Sequence, residues 1–593
     1  MEDPLGLQER RGDSRTRDIP VSPAGGAFTL RHSASWRDPF ALVVLGVALL
    51  LAYLTLYPTL MLYWGSLSTT PLGQTGRLSL ANYVTAYTDP GMPAVLGDSF
   101  VFALGASVFS LVLAFPLAWV TVRTNAPWRG VFELTAVVPN VLPPLLVAIS
   151  WTLLLSPSVG LVNVALRYLV HVSTGPLNIY SLPGLIFTEG LILAPLAFLF
   201  LAAALRNMDP ALEEAARTSG AGHLRVLRQV TVPLVRPALL AAGTLNFVRA
   251  LESFDTPAII ALPARIELFT TKIFRAALAA YPPNYNLAAA YGVTLLVVAL
   301  TCVALYRRCT ARVDAFATVT GRAYRPHPID LGRWKFVVAA GAAVIVTVMV
   351  ALPLLMLLVT SILPFYQVPT AEALRQVTAR NYVRIFNSAR TYRAILHSLF
   401  LATAGATATM LFASLISYIT VKTRVAGRGV LEGLTFLPWA FPGTAFAIGL
   451  LWAYVRLPWP IYGTVWILLI GYVTRFLAYG LRSMTSAMIQ VHREMEEVAW
   501  TSGAGFYTTF RHILLPLVRP GFIAGWIFLA TIFMREFSLS LFLYTPSSEP
   551  VGPLLYYLWL DGQTGSVGAL GILVSAVSVA LVAAARRYSR AVG

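Results

Sequence analysis

Glu213-Glu214-Ala215-Ala216-Arg217-Thr218-Ser219-Gly220 opens a polar segment that ends at Pro237, and the sequence repeats this segment at an offset of 283. The second copy opens as Glu496-Glu497-Val498-Ala499-Trp500-Thr501-Ser502-Gly503 and ends at Pro520. In a gapless alignment of Glu213–Ala238 with Glu496–Gly521, fourteen of twenty-six positions are identical. Both copies lie between strongly apolar stretches. A polar loop that occurs twice between membrane helices indicates a docking site for a partner with two-fold symmetry.

The composition is that of a polytopic membrane protein. Of the 593 residues, 57% are hydrophobic and 12% are charged, and the mean hydropathy is +0.70. A membrane-spanning helix needs about 20 apolar residues. Blocks of this kind occur six times in each half, at 39–62, 97–122, 131–156, 183–205, 236–262, 289–307, 336–362, 396–421, 430–456, 460–481, 519–544 and 566–585. The sequence therefore predicts an all-α fold with about 12 transmembrane helices.

The arginines indicate the side of the membrane. A net charge of +18 could suggest a nucleic-acid partner, but Lys and Arg collect beside the cytoplasmic ends of membrane helices. Basic residues here flank four such regions: Arg10, Arg11, Arg15, Arg17, Arg31 and Arg37; Arg123 and Arg129; Arg307, Arg308, Arg312, Arg322, Arg325 and Arg333; Arg586, Arg587 and Arg590. Both termini and both polar loops are therefore predicted to be cytoplasmic. One basic segment on the opposite side is interpreted as an amphipathic surface segment: Arg375, Arg380, Arg384, Arg390 and Arg393.

The duplication extends beyond the polar loop. Asn82-Tyr83-Val84 recurs as Asn381-Tyr382-Val383 at an offset of 299. The offset at the polar loops is 283, so the first half holds about sixteen extra residues, which we place in 156–180. Each half spans the membrane an even number of times, so the six-helix repeats are parallel and related by an axis along the membrane normal. The predicted segments are an N-terminal tail, a first repeat, a linker and a second repeat: 1–38, 39–308, 309–334 and 335–593.

Several prolines fall inside the predicted third and ninth helices: Pro139, Pro143 and Pro144, with Pro438 and Pro442. Proline removes a backbone donor and kinks a helix, so both helices are predicted to be kinked. Kinks beside a transport route suit a gate, but proline is also tolerated in membrane helices for packing reasons. Both interpretations stay open.

Each polar loop is predicted to form a helix, a turn and a second helix. Residues 213–218 favour helix, and Gly220 and Gly222 permit a sharp reversal through positive φ. Pro233 and Pro237 mark the entry into the next membrane helix. A single copy could be a mere surface loop, but two copies at equivalent positions indicate a function.

The loops resemble a known signature. Glu-Ala-Ala, three residues, Gly, nine residues and then Ile-x-Leu-Pro is the signature of ATP-binding-cassette (ABC) importer permeases, and the stretches 214–233 and 497–516 are similar to it. The resemblance covers essentially the whole chain as a fused pair of permease domains, as in the ferric-iron and thiamine importer group, and implies a fold like that of type I ABC importers. It also implies that the loops are coupling helices seated in clefts of an ATPase dimer. The residues concerned are Glu213, Glu214, Ala216, Gly220, Pro233, Glu496, Glu497, Ala499, Gly503 and Pro516.

No nucleotide site is predicted in this chain. The P-loop needs Gly-Lys before Ser or Thr, whereas the three lysines, Lys272, Lys335 and Lys422, follow Thr, Trp and Val. We therefore expect no cofactor and no enzymatic activity here, with ATP and Mg bound by a separate ATPase subunit. The resemblance also implies a periplasmic or lipoprotein substrate-binding protein as a partner. It places the chain in the bacterial cytoplasmic (inner) membrane.

Four ionisable residues lie inside predicted spans: Glu252, Asp255, Arg535 and Glu536. Such residues are expensive in a membrane and usually face a cavity or a partner. Phe254 aligns with Phe537, which places Glu252 opposite Arg535 across the axis between the halves. Three interpretations stay open: a Glu252–Arg535 pair that joins the halves, a lining of the substrate route, or a plain interfacial position. Two further charges lie in spans, Glu189 and Arg475, of which the arginine can snorkel.

The substrate is the least determined feature. The segments 251–257, 262–274 and 282–285 resemble the ferric-iron permeases, so ferric iron is the favoured cargo, while thiamine, polyamine, phosphonate or another anion remain alternatives. No Cys/His cluster has metal-ligand spacing, so no metal site is predicted. The rival class is a secondary transporter of six-plus-six topology, against which the paired loops argue. An intramembrane enzyme would need a nucleophile–base or metal-ligand cluster, and the sequence offers none.

Overall fold

The computed structural model describes residues 39–74, 76–140, 142–171, 175–310, 328–368, 370–423, 425–459 and 461–592. The chain divides into two compact units, Met1–Gly46 and Val47–Gly593. The described part of the first unit is the start of one helix, and the second unit holds both repeats. The predicted tail at 1–38 and most of the linker lie outside the described residues.

The regular structure of the described residues is helical, as predicted. In the first repeat the helices are α1 Pro39–Leu67, α2 Ala81–Thr88, α3 Met92–Arg123, α4 Arg129–Val137, α5 Pro144–Leu155, α6 Leu161–Val170, α7 Leu182–Asn207, α8 Ala211–Thr218, α9 His223–Val226, α10 Val232–Glu252, α11 Leu262–Ala264, α12 Phe269–Phe274 and α13 Tyr285–Thr310. In the second repeat they are α14 Trp334–Val346, α15 Leu352–Ile362, α16 Ala371–Arg375, α17 Arg380–Asn387, α18 Ala389–Phe400, α19 Ala406–Ser417, α20 Arg428–Phe436, α21 Gly443–Tyr454, α22 Val465–Gln490, α23 Arg493–Thr501, α24 Phe506–Thr509, α25 Leu515–Met534, α26 Ser540–Leu543, α27 Val551–Leu560 and α28 Thr564–Val592.

Short π-helical and 3₁₀ stretches continue or join several of these helices. The π stretches are Leu227–Thr231, Pro257–Ala261, Arg275–Ala279, Thr347–Ala351, Leu401–Gly405, Tyr418–Lys422 and Phe510–Leu514, and the 3₁₀ stretches are Val138–Asn140 and Pro438–Ala440. Leu227–Thr231 and Phe510–Leu514 are equivalent, and each lies directly after a polar loop. Such π insertions are rare and occur often at functional sites.

Ten helices in the described residues are long and apolar enough to cross a membrane, or eleven if one bent pair is counted as a span. They are Ala41–Leu67, Met92–Arg123, Leu182–Asn207, His223–Glu252, Tyr285–Ala304, Trp334–Ile362, Ala389–Lys422, Val465–Gln490, Tyr507–Met534 and Thr564–Ala584. Each repeat therefore has five unbroken spans instead of six. The spans predicted at 236–262 and 519–544 begin earlier than expected and end sooner, at Glu252 and Met534.

The remaining apolar block of the second repeat, which was predicted to be its third span, forms a broken helix. In the second repeat Arg428–Ala440 and Gly443–Tyr454 meet at an angle of 109°, with Pro442 at the break. The first repeat has the same order of elements: α4, a 3₁₀ turn that contains Pro139, and α5, which starts at Pro144. The prediction that prolines distort these two helices is confirmed, and the distortion in the second repeat is a sharp bend of 109°.

The boundaries of the helices reproduce the duplication. The first residue of α21 lies 299 positions after the first residue of α5, whereas the first residue of α22 lies 283 positions after that of α7. The extra residues of the first repeat hold α6, Leu161–Val170. This helix lies inside the range 156–180 where the insertion was predicted.

The first helix of each repeat packs against the broken helix of the other repeat. Tyr53 and Tyr57 of α1 make edge-on contacts with Tyr454 of α21, at ring-centroid distances of 6.3 and 6.4 Å. In the reciprocal contact, Ser150 Oγ of α5 donates a hydrogen bond to the Pro353 carbonyl of α15 at 3.2 Å. The two repeats are therefore interlocked through exchanged helices rather than packed as separate bundles.

The repeated Asn-Tyr pair fixes the outer end of the first helix in each repeat, where "outer" denotes the side opposite the polar loops. Asn82 Nδ2 donates to the Ser66 and Ser68 carbonyls, both at 2.9 Å. Asn381 Nδ2 donates to the Ser361 carbonyl at 3.0 Å and to the Leu363 carbonyl at 2.7 Å. These bonds satisfy carbonyls that the helix end leaves without an intrahelical partner.

The basic segment at 375–393 lies on this outer side and is amphipathic, as predicted. α17 buries Asn381 and Ile385 and exposes Arg380 and Arg384. Arg390 forms a bidentate ion pair with Glu549, with N–O distances of 2.7 and 2.8 Å.

Candidate functional site

Each polar loop forms two short helices joined by a tight reversal, as predicted. In the first loop α8 leads to Gly220 at φ +85° and then to α9; in the second, α23 leads to Gly503 at φ +83° and then to α24. A side chain with a Cβ is strained at such positive φ values, so glycine is the residue these turns require. We call α8 and α23 the coupling helices below, after the role that the sequence resemblance implies for them.

A buried ion pair attaches the first coupling helix to the membrane helix α3. The carboxylate of Glu213 pairs with the guanidinium of Arg123, the last residue of α3, and each side chain is only 1% exposed. Thr231 Oγ1 donates a second bond to Glu213 Oε1 at 2.5 Å. Glu213 therefore faces the membrane domain rather than a partner. Arg123 was predicted only as a marker of the cytoplasmic side, so its role as the partner of Glu213 was missed.

The second repeat has the equivalent pair with a lysine in place of the arginine. Lys422 Nζ lies 2.7 Å from Glu496 Oε1, and both side chains are nearly buried. Lys422 also donates to the Val491 carbonyl at 2.8 Å. The predicted equivalence of Glu213 and Glu496 is therefore matched by basic partners at equivalent positions, at the end of the second span of each repeat.

The following glutamates point away from the membrane domain. Glu214 and Glu497 are exposed, as are Pro233 and Pro516 in the first turns of α10 and α25, whereas Ala216 is half-buried and Ala499 is buried. Apolar side chains surround the two glutamates on the same surface: Leu212, Leu224, Met495, Val498 and Tyr507. Exposed apolar groups around charged residues are typical of an interaction surface. The predicted loop residues thus separate into an inward-facing pair and an outward-facing set.

Equivalent residues of the two repeats touch each other where α10 and α25 end. The rings of Phe254 and Phe537 are stacked, with a centroid distance of 5.8 Å and an interplanar angle of 8°. Ser538 Oγ donates to Asp255 Oδ2 at 2.9 Å, and these two residues are related by the same offset of 283. A residue can meet its own counterpart only at the axis that relates the repeats. Phe254 and Phe537 therefore lie at this axis.

The predicted Glu252–Arg535 pair is wrong. Glu252 Oε2 lies 3.6 Å from Nη2 of Arg475 in α22, and Arg535 Nη1 instead donates to the Leu142 carbonyl at 3.2 Å. Arg475 therefore joins the two repeats rather than snorkelling to the surface, and its Nη1 also donates to the Phe441 carbonyl at 3.2 Å. The charges are tolerated here because α10 and α25 end at this level and leave polar backbone beside them.

Glu536 has a structural role that the sequence did not reveal. Its carboxylate accepts bonds from the Leu539 and Ser540 backbone N–H groups at 2.7 and 3.0 Å, and from Ser540 Oγ at 2.8 Å. It therefore caps the short helix α26. Glu189 of α7 is 3% exposed, and its Oε2 lacks a hydrogen-bond partner within the described part of the chain.

A cavity of about 950 Å³ adjoins the charged cluster on the side of the coupling helices. It extends from Glu252, the last residue of α10, to Ile489 in the last turn of α22, directly before α23. Its charged lining also includes Arg249, Glu432 and Arg482, all of which are exposed to it. These three residues were not among the predicted site residues, although Arg249 lies in a predicted span and could have been found by the same criterion as Glu252.

On the outer side, an ion network anchors the segment that follows α10. Lys272 Nζ lies 2.6 Å from Asp89 Oδ2 and 2.8 Å from Glu267 Oε2. Its ammonium group, together with the Gly91 backbone N–H, holds the pKa of the Asp89 carboxyl below its usual value. The network ties α12 to the loop between α2 and α3. No group of three or more His, Cys, Asp or Glu side chains that could hold a metal ion occurs in the described ranges.

The Glu252–Arg475 contact can be tested by a double-mutant cycle. We expect Glu252→Gln and Arg475→Met to be less destabilising together than the sum of the single changes, because each single change leaves a charge without its partner. Coupling energies between contacting residues are about 0.5–3 kcal/mol. Thermal unfolding of the purified protein in detergent measures them. The matched control combines Glu252→Gln with Arg535→Met and should be additive; equal coupling in both cycles would contradict the observed pairing.

The chain belongs to the family described as the binding-protein-dependent transport system inner membrane component, which matches residues 106–315 and 411–592, once in each repeat. It is a multi-pass inner-membrane protein and the permease subunit of an ABC importer. Family membership sets aside the rival class of secondary transporters.

Relatives of this chain include permeases that are named for different substrates. It is 25% identical over 555 residues to the ferric transport system permease protein FbpB of Actinobacillus pleuropneumoniae, covering 91% of this chain and 77% of that protein. It is 27% identical over 505 residues to the putative ferric transport system permease protein FbpB 1 of Haemophilus influenzae, and this alignment covers 83% of this chain and 75% of that protein. The spermidine/putrescine transport system permease protein PotC of Escherichia coli is 29% identical over 213 residues, and this alignment covers 36% of this chain and 80% of that protein. Among solved structures, a chain of a bacterial ABC transporter involved in alginate import is similar to this protein, with 19% sequence identity and a TM-score of 0.38. The superposition covers 46% of this chain and 96% of that chain.

Proposed function

We propose that this permease imports ferric iron, delivered by a periplasmic or extracellular binding protein, into the cytoplasm. The supporting observation is the extent of the likeness: the two ferric transport permeases match 91% and 83% of this chain, across both repeats. The polyamine permease matches 36% of the chain, which is less than the length of one repeat. Polyamines, as well as thiamine, phosphonate or another anion, remain the alternatives within the same class.

The driving force would come from an ATPase dimer seated on the coupling helices. The exposed Glu214 and Glu497 and their apolar neighbours supply the surface for it, and the buried pairs of Glu213 and Glu496 attach that surface to membrane helices. Closure of the ATPase dimer on ATP and Mg would then move both attachments together. Both termini are assigned to the same cytoplasmic side.

Uptake of radioactive iron into proteoliposomes tests the proposed substrate. The vesicles would contain the permease with its ATPase subunit, and its binding protein would be loaded with Fe³⁺ or with spermidine. We expect ATP-dependent accumulation of iron and none of spermidine. Accumulation of spermidine alone would replace ferric iron with a polyamine as the cargo.

We also predict that the purified chain hydrolyses no ATP by itself, because it has no P-loop lysine. Hydrolysis should appear when the ATPase subunit is added and should rise further with the loaded binding protein. Phosphate release measures both steps. The control is the same preparation with the P-loop lysine of the ATPase subunit replaced, and hydrolysis that survives that replacement would contradict the assignment.

A further inference from the structure

The described end of the predicted linker returns to the first repeat before the second repeat begins. Residues 328–333 lie along the stretch that follows α3, and Ile329 forms a parallel β-bridge with Thr124. The Ile329 backbone N–H donates to the Arg123 carbonyl at 2.7 Å, and the Ile329 carbonyl accepts from the Asn125 backbone N–H at 3.1 Å. We call residues 328–333 the anchoring segment.

The side chain of Asn125 fixes the register of the anchoring segment. Its Nδ2 donates to Asp330 Oδ1 at 2.6 Å, and its Oδ1 accepts from the Leu331 backbone N–H at 3.2 Å. Asp330 Oδ1 also accepts from the Gly332 backbone N–H at 3.0 Å. The Gly332 N–H and the Asn125 amide hold the pKa of the Asp330 carboxyl below its usual value. Both hydrogen-bonding groups of the Asn125 amide are thus used on this one segment.

The other end of the anchoring segment is fixed by the helix that it enters. This helix, α14, starts at Trp334 directly after the segment. Ala339 of α14 lies in one apolar cluster with Leu117 and Val120 of α3. Both the backbone of the segment and the helix that follows it are therefore held on α3.

The side chain of Ile329 covers the junction between α3 and the first polar loop, and it is only 5% exposed. It lines a gap of about 10 Å³ together with Trp119 of α3, Arg217 of α8, His223 of α9 and Thr231. A cavity needs about 10–15 Å³ to hold one water molecule. There is therefore room for at most one water molecule at this junction.

Beneath this junction lies the buried pair that attaches the first coupling helix. The Ile329 N–H is bonded to the backbone of Arg123, the ion-pair partner of Glu213. Thr231, which lines the gap beside Ile329, donates to the same carboxylate. Water at this position would screen the ion pair and compete for both bonds. The anchoring segment therefore lies against both residues that hold Glu213.

The equivalent pair of the second repeat is less fully covered. The side chains of Arg123 and Glu213 are both 1% exposed, whereas those of Lys422 and Glu496 are 7% and 8% exposed. Thr423, which follows the second span of that repeat, forms no β-bridge with any residue that the structure describes. The deeper burial of the first pair therefore coincides with the anchoring segment.

We infer that the anchoring segment positions the first coupling helix, by keeping water from the Arg123–Glu213 pair and by holding α8 and α9 against the end of α3. The start of the second repeat thereby fixes the loop that belongs to the first. This inference rests on the proposed docking of an ATPase on the coupling helices. The hold on the loop itself can nevertheless be measured without ATP, cargo or a partner subunit.

Hydrogen exchange of backbone amides reports local opening and tests this hold in the purified permease. We expect Asn125→Ala with Ile329→Ala to raise the exchange rates of α8 and α9 by about tenfold or more, because water then reaches the ion pair and the loop opens. The rates of α23 and α24 should not change. Unchanged rates in α8 and α9, or an increase that is equal in both loops, would overturn the inference.

Two control variants separate this effect from a general loss of stability. Ile385→Ala removes an isoleucine of similar burial, 2% exposed, from α17 on the outer side, and it should leave the exchange of both loops unchanged. Ile329→Val keeps a branched apolar side chain at the junction and should keep the slow exchange of the wild type. Exchange of α8 and α9 that is as fast in Ile385→Ala as in the double variant would show that the effect does not come from the anchoring segment.

Attachment of the ATPase subunit tests the consequence for the proposed function. The concentration of ATPase subunit that gives half-maximal hydrolysis should rise about fivefold in the double variant, because only the fraction of loops that is correctly placed can bind. The rate at saturation should stay the same, and Ile329→Val should require the wild-type concentration. A loosened loop with unchanged attachment would count against the docking role of the coupling helix, and the hold of the anchoring segment on the loop would stand.

Discussion

Replacing Arg123 with methionine is expected to destabilise the protein by about 3–5 kcal/mol, because it leaves the Glu213 carboxylate buried without its counter-charge. Both side chains are 1% exposed, so water cannot substitute for the lost partner. The change should also separate the first coupling helix from α3 and reduce ATP-driven uptake. Thermal or denaturant unfolding in detergent measures the first effect, and uptake into vesicles measures the second.

The chain offers a matched control for this prediction. Arg206 pairs with Glu133 at the surface, with side chains that are 50% and 42% exposed. Exposed ion pairs contribute about 0–1 kcal/mol, so Arg206→Met should change stability little. A second comparison replaces both Arg123 and Glu213 with methionine, which removes the stranded charge and should recover part of the loss. If Arg123→Met and Arg206→Met cost the same, the buried pair does not hold the coupling helix.

Replacing Gly220 and Gly503 with valine is expected to abolish uptake. Both glycines have φ above +80°, where a β-branched residue is strained by about 1–3 kcal/mol. An added Cβ would meet nothing within 4 Å at either position. The effect would therefore come from the backbone alone, through a changed angle between the two helices of each loop. Uptake into vesicles and retention of the ATPase subunit during purification would be measured together.

Gly222 and Gly505 provide the control for the two turns. They lie two positions further along each loop, an added Cβ there would also meet nothing within 4 Å, and neither has a positive φ. Gly222→Val with Gly505→Val should therefore retain most of the uptake. Equal loss of uptake in both double variants would show that bulk on the loop surface, rather than the reversal of the chain, is responsible.

The repeated segments made most of the fold predictable. Two copies of the polar loop, the Asn-Tyr pair and the prolines predicted the parallel repeats, the position of the inserted residues and the distorted third and ninth helices. The sharp bend at Pro442 was not predicted, because an apolar block reports length and hydropathy but not direction. A block that bends by 109° at Pro442 has the same composition as a straight membrane-spanning helix.

The site was predictable only where symmetry or a motif determined it. Phe254 and Phe537 meet because they lie on the axis, and aligned residues touch each other there. Glu252 lies two positions before Phe254 and away from the axis, so it meets Arg475 of α22 rather than its own counterpart Arg535. Alignment of the repeats contains no information on such off-axis contacts. The partner of Glu213 was missed for the same reason, since Arg123 is 90 residues away in sequence.

The exchange of first helices has a consequence for biosynthesis. Pro58 of α1 lies against Gly449 of α21, which is in the other half of the chain. At a translation rate of about 5–20 residues per second, α1 enters the membrane about 20–80 s before its packing partner has been made. During this interval the face of α1 that receives Trp452 and Tyr454 must be covered by lipid or by the insertion machinery. The first repeat released alone from the ribosome would keep that face uncovered, so the protein can complete its assembly only after the second repeat has been synthesised.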